Sequence, residues 1–178
     1  MDFIKILGDV ITEQINVHAG HVGANAGQQA SQTWSQVTPY RWKPGTKLGA
    51  VLKKTGVCNN YEQDRGVQRG VHKACDISTR VGTGVFAPYD GEFKIYETAA
   101  CGNGIQIIGI NENGDRMLST FCHLRSREVP SDGKVTKGQL IGFTGGARGE
   151  AGSGRSDGPH LHWAFSVAGI PKNPYTYN

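Results

Sequence analysis

The chain has 178 residues and a net charge of +4; 37% of residues are hydrophobic and 19% charged, a balance that suits one folded domain and excludes wholesale disorder. Glycine accounts for 26 residues, about twice its usual share, with no three-residue period; this excludes collagen and favours short strands joined by turns over long helices. No run of about 18 apolar residues occurs, so no helix is expected to cross a membrane.

The opening stretch, MDFIKILGDVITEQ, lacks a basic leading segment, and Lys5, Gly8 and Asp9 break its apolar run. It does not read as a secretory signal, so another export route, or a mature form, is expected. Phe3, Ile4, Leu7, Val10 and Ile11 recur at three- and four-residue spacing and predict a helix over 2–17. Residues 19–32 are small and polar without an apolar face and read as a flexible arm, which places a domain boundary at 33/34. His18 and His21 lie on or beside this arm and read as ordinary polar residues. Lys5 against Asp2, Asp9 and Glu13 gives residues 1–36 a sum of −2, leaving +6 on the remainder. A cationic body suits an anionic partner such as wall polymer, but the chain has no nucleic-acid module or dense basic–aromatic strip, so nucleic acid is not expected.

From Trp34 onward the pattern turns to β. Strands are expected at 85–88, 92–96, 104–110, 116–124, 139–144 and 160–167, with turns at Tyr89-Asp90-Gly91, Asn113-Gly114 and Ser131-Asp132-Gly133. Asn-Gly between two apolar runs predicts an antiparallel hairpin of 104–110 with 116–124. The run GGARGEAGSGRSDG (145–158) lacks the Gly-Lys-Ser/Thr ending of a phosphate-binding loop and reads as a mobile surface loop.

Four of the six histidines stand in informative places. His72 and Asp76 form His-x-x-x-Asp, His160 and His162 form His-x-His, and His123 closes an expected strand. Residues two apart on a strand share a face, so His160 and His162 project together. With His72 and Asp76 they supply neutral nitrogens and a carboxylate. Three protein ligands with one open position is the arrangement of a catalytic zinc site.

These motifs stand in a longer text: HKACDI (72–77), GTGVFAPYDGEF (82–93), GNGIQI (102–107), FCHL (121–124), VTKGQLIGFTG (135–145), GPHLHW (158–163) and GIPKNPYTY (169–177). In that order they resemble the lysostaphin-type zinc metallopeptidases, which cut peptide bonds in peptidoglycan, over about residues 66–175. The resemblance implies a mainly β fold, a twisted antiparallel sheet with a loop-flanked groove, here preceded by the short helix and arm. It implies one zinc, held by His72, Asp76 and His162, with His160 and His123 as the catalytic pair. His160 is the expected general base and His123 the group that orients the water or stabilises the oxyanion; the two roles are open to exchange. Two positions depart from the family pattern. Ala74 stands where glycine is usual, which requires a negative φ, and Ala164 stands where glutamate is common, which removes a supporting group rather than a ligand.

Cys58, Cys75, Cys101 and Cys122 contain no Cys-x-x-Cys, so a structural zinc site is weakly supported. Four buried thiols are expected in a reducing compartment. In an oxidising one, bridges Cys101–Cys122 and Cys58–Cys75 are expected, each worth roughly 3 kcal/mol in the chain-entropy model. Alternation along a strand would turn Cys122 to the face opposite His123.

The first expectation is therefore a peptidoglycan endopeptidase acting at the cell wall, in the periplasm or outside the cell. Loops 53–70 and 145–158 would read its substrate. An apolar helix ahead of a flexible arm suits docking into another protein or a second copy, as in an enzyme carried on a phage virion to assist genome delivery; folding back onto the domain is the other placement. The alternative function is a non-catalytic wall-binding or assembly protein on the same fold.

Overall fold

The computed structural model describes residues 48–52, 57, 58, 60–67 and 70–177. The helix expected over 2–17, the arm and the boundary at 33/34 lie outside them. The described residues form ten strands: β1 Ala74–Ser78, β2 Gly84–Phe86, β3 Gly91–Thr98, β4 Gly102–Ile110, β5 Arg116–Cys122, β6 Leu124–Arg127, β7 Asp132–Val135, β8 Leu140–Thr144, β9 His160–Val167 and β10 Ile170–Pro171. Every pairing is antiparallel. One sheet runs β1-β9-β5-β4-β3-β7 with β10 also on β9, and a second runs β2-β8-β6.

Alternation builds the large sheet. On β9, Leu161, Trp163, Phe165 and Val167 are buried while His160, His162, Ala164 and Ser166 are not. Met117, Ser119 and Phe121 of β5 continue the buried face, as do Ile105 and Ile107 of β4. Phe121 stacks on Trp163 at 5.8 Å between ring centres, and Trp163 Nε1–H donates to Ser119 Oγ at 3.1 Å, which satisfies the indole's one donor inside the core. Val85, Leu124 and Ile141 of the small sheet join the same cluster. Apolar contact thus consumes one face of β9 and β5, and the other is free for chemistry.

The Asn-Gly hairpin forms as expected. Ile110 faces Arg116, Gly114 has φ of 90°, and Asn111 Oδ1 accepts from the amides of Asn113 and Asp115 at 3.0 and 2.8 Å. Three strands escaped the sequence, among them the two-residue β10. β1 is short and carries Asp76, and β7 begins inside what reads as a turn, its Gly91↔Val135 to Lys94↔Asp132 register making it an edge partner of β3. The expected strand 116–124 is two strands, because the chain breaks at His123, where φ is 63°. That value lies in the left-handed region, which histidine enters more readily than branched residues do.

Gly102 opens β4 at φ of 64°, and a Cβ there would run into the backbone of Gly152 and lie 2.5 Å from the amide nitrogen of Gly154. Replacing Gly102 by Ala forces a side chain into the left-handed region, costing about 1–2 kcal/mol before the collision is counted. Urea unfolding should show at least that loss; an unchanged midpoint would mean the close approach does not exist.

Candidate active site

The free face of β9 and β5 forms the floor of a groove of about 960 Å³. Asp76 of β1 pairs with His162 of β9, and Ser78 with His160, so the carboxylate and both histidines leave the sheet on one side. Loop residues Asn60 and Arg65 line it, as do Arg155, Asp157 and Pro159. Described parts of both loops expected to read substrate therefore border the groove.

His72, Asp76 and His162 each bring a ligand atom within 4.8 Å of the other two. His72 Nε2 is 3.4 Å from His162 Nδ1 and 3.4 Å from Asp76 Oδ1, and His162 Nδ1 is 2.7 Å from Asp76 Oδ1. Nitrogen and oxygen bonds of about 2.0–2.1 Å to tetrahedral zinc imply ligand–ligand separations of about 3.3–3.4 Å. Two of the three separations match, and the third is a hydrogen bond whose proton a cation would replace. The donor set therefore fits zinc.

The atoms turned away from this point are already satisfied. His72 Nδ1 lies 3.2 Å from the Asn60 carbonyl, which accepts its proton and leaves the Nε2 lone pair facing inward. Burial pushes the His72 pKa down, against the pull of Asp76, and favours that neutral ring. Asp76 Oδ2 accepts from Asn60 Nδ2 at 3.0 Å and pairs with the Arg65 guanidinium, and the Asp76 amide donates to Asn60 Oδ1 at 2.9 Å. Burial alone would raise the Asp76 pKa; hydrogen bonds from His162 and Arg65 outweigh it and hold the carboxyl well below the usual range.

His123 and His160 stand beside this cluster, their rings 4.7 Å apart and the His123 ring 5.8 Å from that of His162. His160 Nε2 is 3.7 Å from Asp76 Oδ1. Each ring is oriented by a carbonyl on the glycine-rich loop: His123 Nδ1–H donates to Ser153 O at 2.7 Å, and His160 Nδ1–H to Gly158 O at 2.8 Å. Each ring thus carries its proton on Nδ1 and its lone pair on Nε2. Burial, aided by His160 and His162, pushes the His123 pKa down to about 4, so this ring is neutral at neutral pH.

The run 145–158, expected to be a mobile surface loop, is tied down at several points. The Gly145 amide donates to His123 O and that of Arg155 to Ala100 O, both at 2.9 Å, and the Asn103 amide donates to Gly152 O at 2.8 Å. Ser156 Oγ lies 2.7 Å from the carbonyls of Gly146 and Gly158. The loop's glycines serve these close approaches.

Both disulfides of the oxidised alternative are present, Cys58–Cys75 and Cys101–Cys122, and the chain has no free cysteine. The expected orientation of Cys122 is corrected. It pairs with His162 across β5 and β9 and lines the groove with Cys101. His123 reaches the same side because its positive φ takes it out of the strand's alternation. Ala74 is absent from the residues with positive φ, as its methyl requires, and it sits directly opposite Ala164. The two departures from the family pattern are thus one facing pair of small residues. Asn60 and Arg65 escaped sequence reasoning entirely, since a loop Asn and Arg carry no spacing signal.

A model of peptidase family M23 matches residues 70–174. The peptidoglycan DD-endopeptidase ShyC of Vibrio cholerae is 36% identical over 106 residues, covering 59% of this chain and 22% of that protein. Lysostaphin of Staphylococcus staphylolyticus is 30% identical over 116 residues, covering 61% of this chain and 23% of that protein. The crystal structure of a zinc-containing peptidase from Vibrio cholerae aligns with a TM-score of 0.55 at 25% identity, over 67% of this chain and 35% of that one. The chain spans less than a quarter of the length of both curated relatives.

Protein isolated from an oxidising compartment should show no free thiol by non-reducing mass spectrometry. Replacing Cys101 and Cys122 together by Ser should lower stability by roughly 3 kcal/mol. Four alkylatable thiols in freshly isolated native protein would contradict both bridges.

Proposed function

The chain belongs to peptidase family M23, and from that membership we propose that it is a zinc-dependent endopeptidase of peptide bonds in peptidoglycan cross-links. The observation that carries the reading is the convergence of five side chains, four of which (Asp76, His123, His160 and His162) line the groove: three donor atoms within 4.8 Å of each other and two histidine rings beside them. His72, Asp76 and His162 would hold one zinc ion per domain. Bound there, zinc polarises the scissile carbonyl and lowers the pKa of water towards neutrality.

His160 is the general base. Its Nδ1–H is anchored on Gly158 O, so its Nε2 can take the proton of the attacking water and later pass it to the leaving amine. His123, neutral and anchored on Ser153 O, offers Nε2 as the acceptor that orients this water. Stabilising an oxyanion would need a protonated ring, which burial of His123 opposes. The peptide would enter the groove beside β9 that Asn60, Arg65, Arg155 and Asp157 line. ShyC, a peptidoglycan DD-endopeptidase, supports the wall peptide as substrate and the cell wall as the place of action.

For delivery we propose the tether: the apolar stripe of residues 2–17 docks into a partner or a second copy, as on a phage virion that must open the wall for its genome. Its sum of −2 argues against an anionic membrane surface. Deleting residues 1–33 should then leave wall cleavage by the free domain nearly unchanged and abolish incorporation into the carrying assembly; a truncated domain that unfolds would contradict the tether.

Peptidoglycan of several wall types, digested with and without a chelator and analysed by mass, tests the activity. Cross-link cleavage should appear for at least one wall and vanish with the chelator. His162→Ala should lose zinc, whereas His160→Ala should keep it and turn over about 10²–10⁴-fold more slowly. A zinc-loaded chain that cleaves no wall would favour the non-catalytic wall-binding alternative.

A further inference from the structure

Residues 58 and 60–65 lie outside the sheet, and three of their features meet the His72–Asp76–His162 cluster. Cys58 is bridged to Cys75, the residue before Asp76. Asn60, two residues after Cys58, makes three contacts: its carbonyl accepts from His72 Nδ1 at 3.2 Å, its Oδ1 accepts from the Asp76 amide at 2.9 Å, and its Nδ2 donates to Asp76 Oδ2 at 3.0 Å. Arg65 pairs with the same Oδ2. We propose that Asn60 and Arg65 are positioning residues of this centre, fixing Asp76 so that it offers a cation one oxygen, Oδ1. The inference rests on the reading of His72, Asp76 and His162 as zinc ligands.

A free carboxylate has two equivalent oxygens with about four lone-pair sites and can meet a cation with either or both. Here the oxygens are unlike. Oδ2 is occupied by an amide and a guanidinium, while Oδ1 faces His72, His162 and His160 at 3.4, 2.7 and 3.7 Å. Arg65 alone would be an ambiguous partner, because its charge repels a cation while its fork orients the carboxylate. Asn60 is neutral, so it orients the carboxylate without placing a repelling charge beside the cation. It also joins two ligands through one residue: moving Asn60 shifts the acceptor of His72 and the clamp on Asp76 together. The Cys58–Cys75 bridge keeps that residue beside β1.

Zinc affinity of the full-length chain, measured by competition with a chromogenic chelator, tests this, with thermal melting of the metal-free protein as the control for folding. Asn60→Ala should bind zinc about 10–100-fold more weakly, the usual cost of losing an outer partner of a ligand. Its metal-free form should still melt cooperatively, which shows that it folds, although losing two hydrogen bonds to Asp76 lowers the midpoint. Arg65→Lys keeps the charge and loses the planar fork, and should weaken zinc in the same direction by a smaller factor. It carries the test should Asn60→Ala fail to fold. His162→Ala separates the two readings. If it loses zinc while Asn60→Ala and Arg65→Lys bind as tightly as the unaltered chain, the positioning role is overturned and the ligand set stands. If His162→Ala itself binds zinc normally, the ligand reading falls and this inference with it.

Discussion

The carboxylate of Asp76 is the point on which the groove is organised. It is a partly buried charge, and such a charge is tolerated only when it is paired and hydrogen-bonded. Its Oδ2 and backbone amide are taken up by Asn60 and Arg65, and its Oδ1 draws His162 and His72 to within 2.7 and 3.4 Å. Because Asp76 lies opposite His162 in the β1–β9 register, the sheet itself brings these two side chains together. The pleat that buries Ile77 and Leu161 also aims Asp76 and His162.

The second histidine pair obeys a different constraint. His160 follows the pleat of β9, but His123 reaches the groove by leaving it, through a positive φ between β5 and β6. A non-glycine residue there persists only when its surroundings over-determine it. The His123 amide donates to Cys101 O, its carbonyl accepts from Gly145, and its ring donates to Ser153 O. Cys101, in turn, is bridged to Cys122, the residue before His123. The glycine-rich loop therefore acts as a frame for the two histidines: it supplies both carbonyls that fix their Nδ1 protons and turn both Nε2 lone pairs to the groove.

Part of this was legible in the sequence because the two-residue strand period and turn chemistry carry it. His160 and His162 are two apart, the strand period, and the flanking Leu161 and Trp163 mark the core face. The Asn113-Gly114 hairpin and six strand segments were readable from turn chemistry and alternation. What failed did so for physical reasons. The expected opposition of Cys122 and His123 assumed an unbroken strand, and a single left-handed residue reverses it. β7 was hidden because Asp132 and Gly133 are turn formers, held in a strand by pairing with β3 rather than by propensity. Asn60 and Arg65 reach Asp76 across 16 and 11 residues, contacts that only the folded loop creates. The glycine-rich loop looked mobile because composition reports conformational freedom, not the hydrogen bonds that remove it.

In the proposed site two imidazoles and one carboxylate, and no thiolate, hold zinc on the open face of the sheet. Zinc K-edge absorption on the full-length protein loaded with one equivalent of zinc addresses it directly, because sulfur ligands lie at about 2.3 Å and nitrogen or oxygen ligands at about 2.0–2.2 Å. The account predicts a four-coordinate shell of nitrogen and oxygen donors that loses its imidazole signature in His162→Ala. A shell containing sulfur, or one unchanged by that substitution, would contradict it.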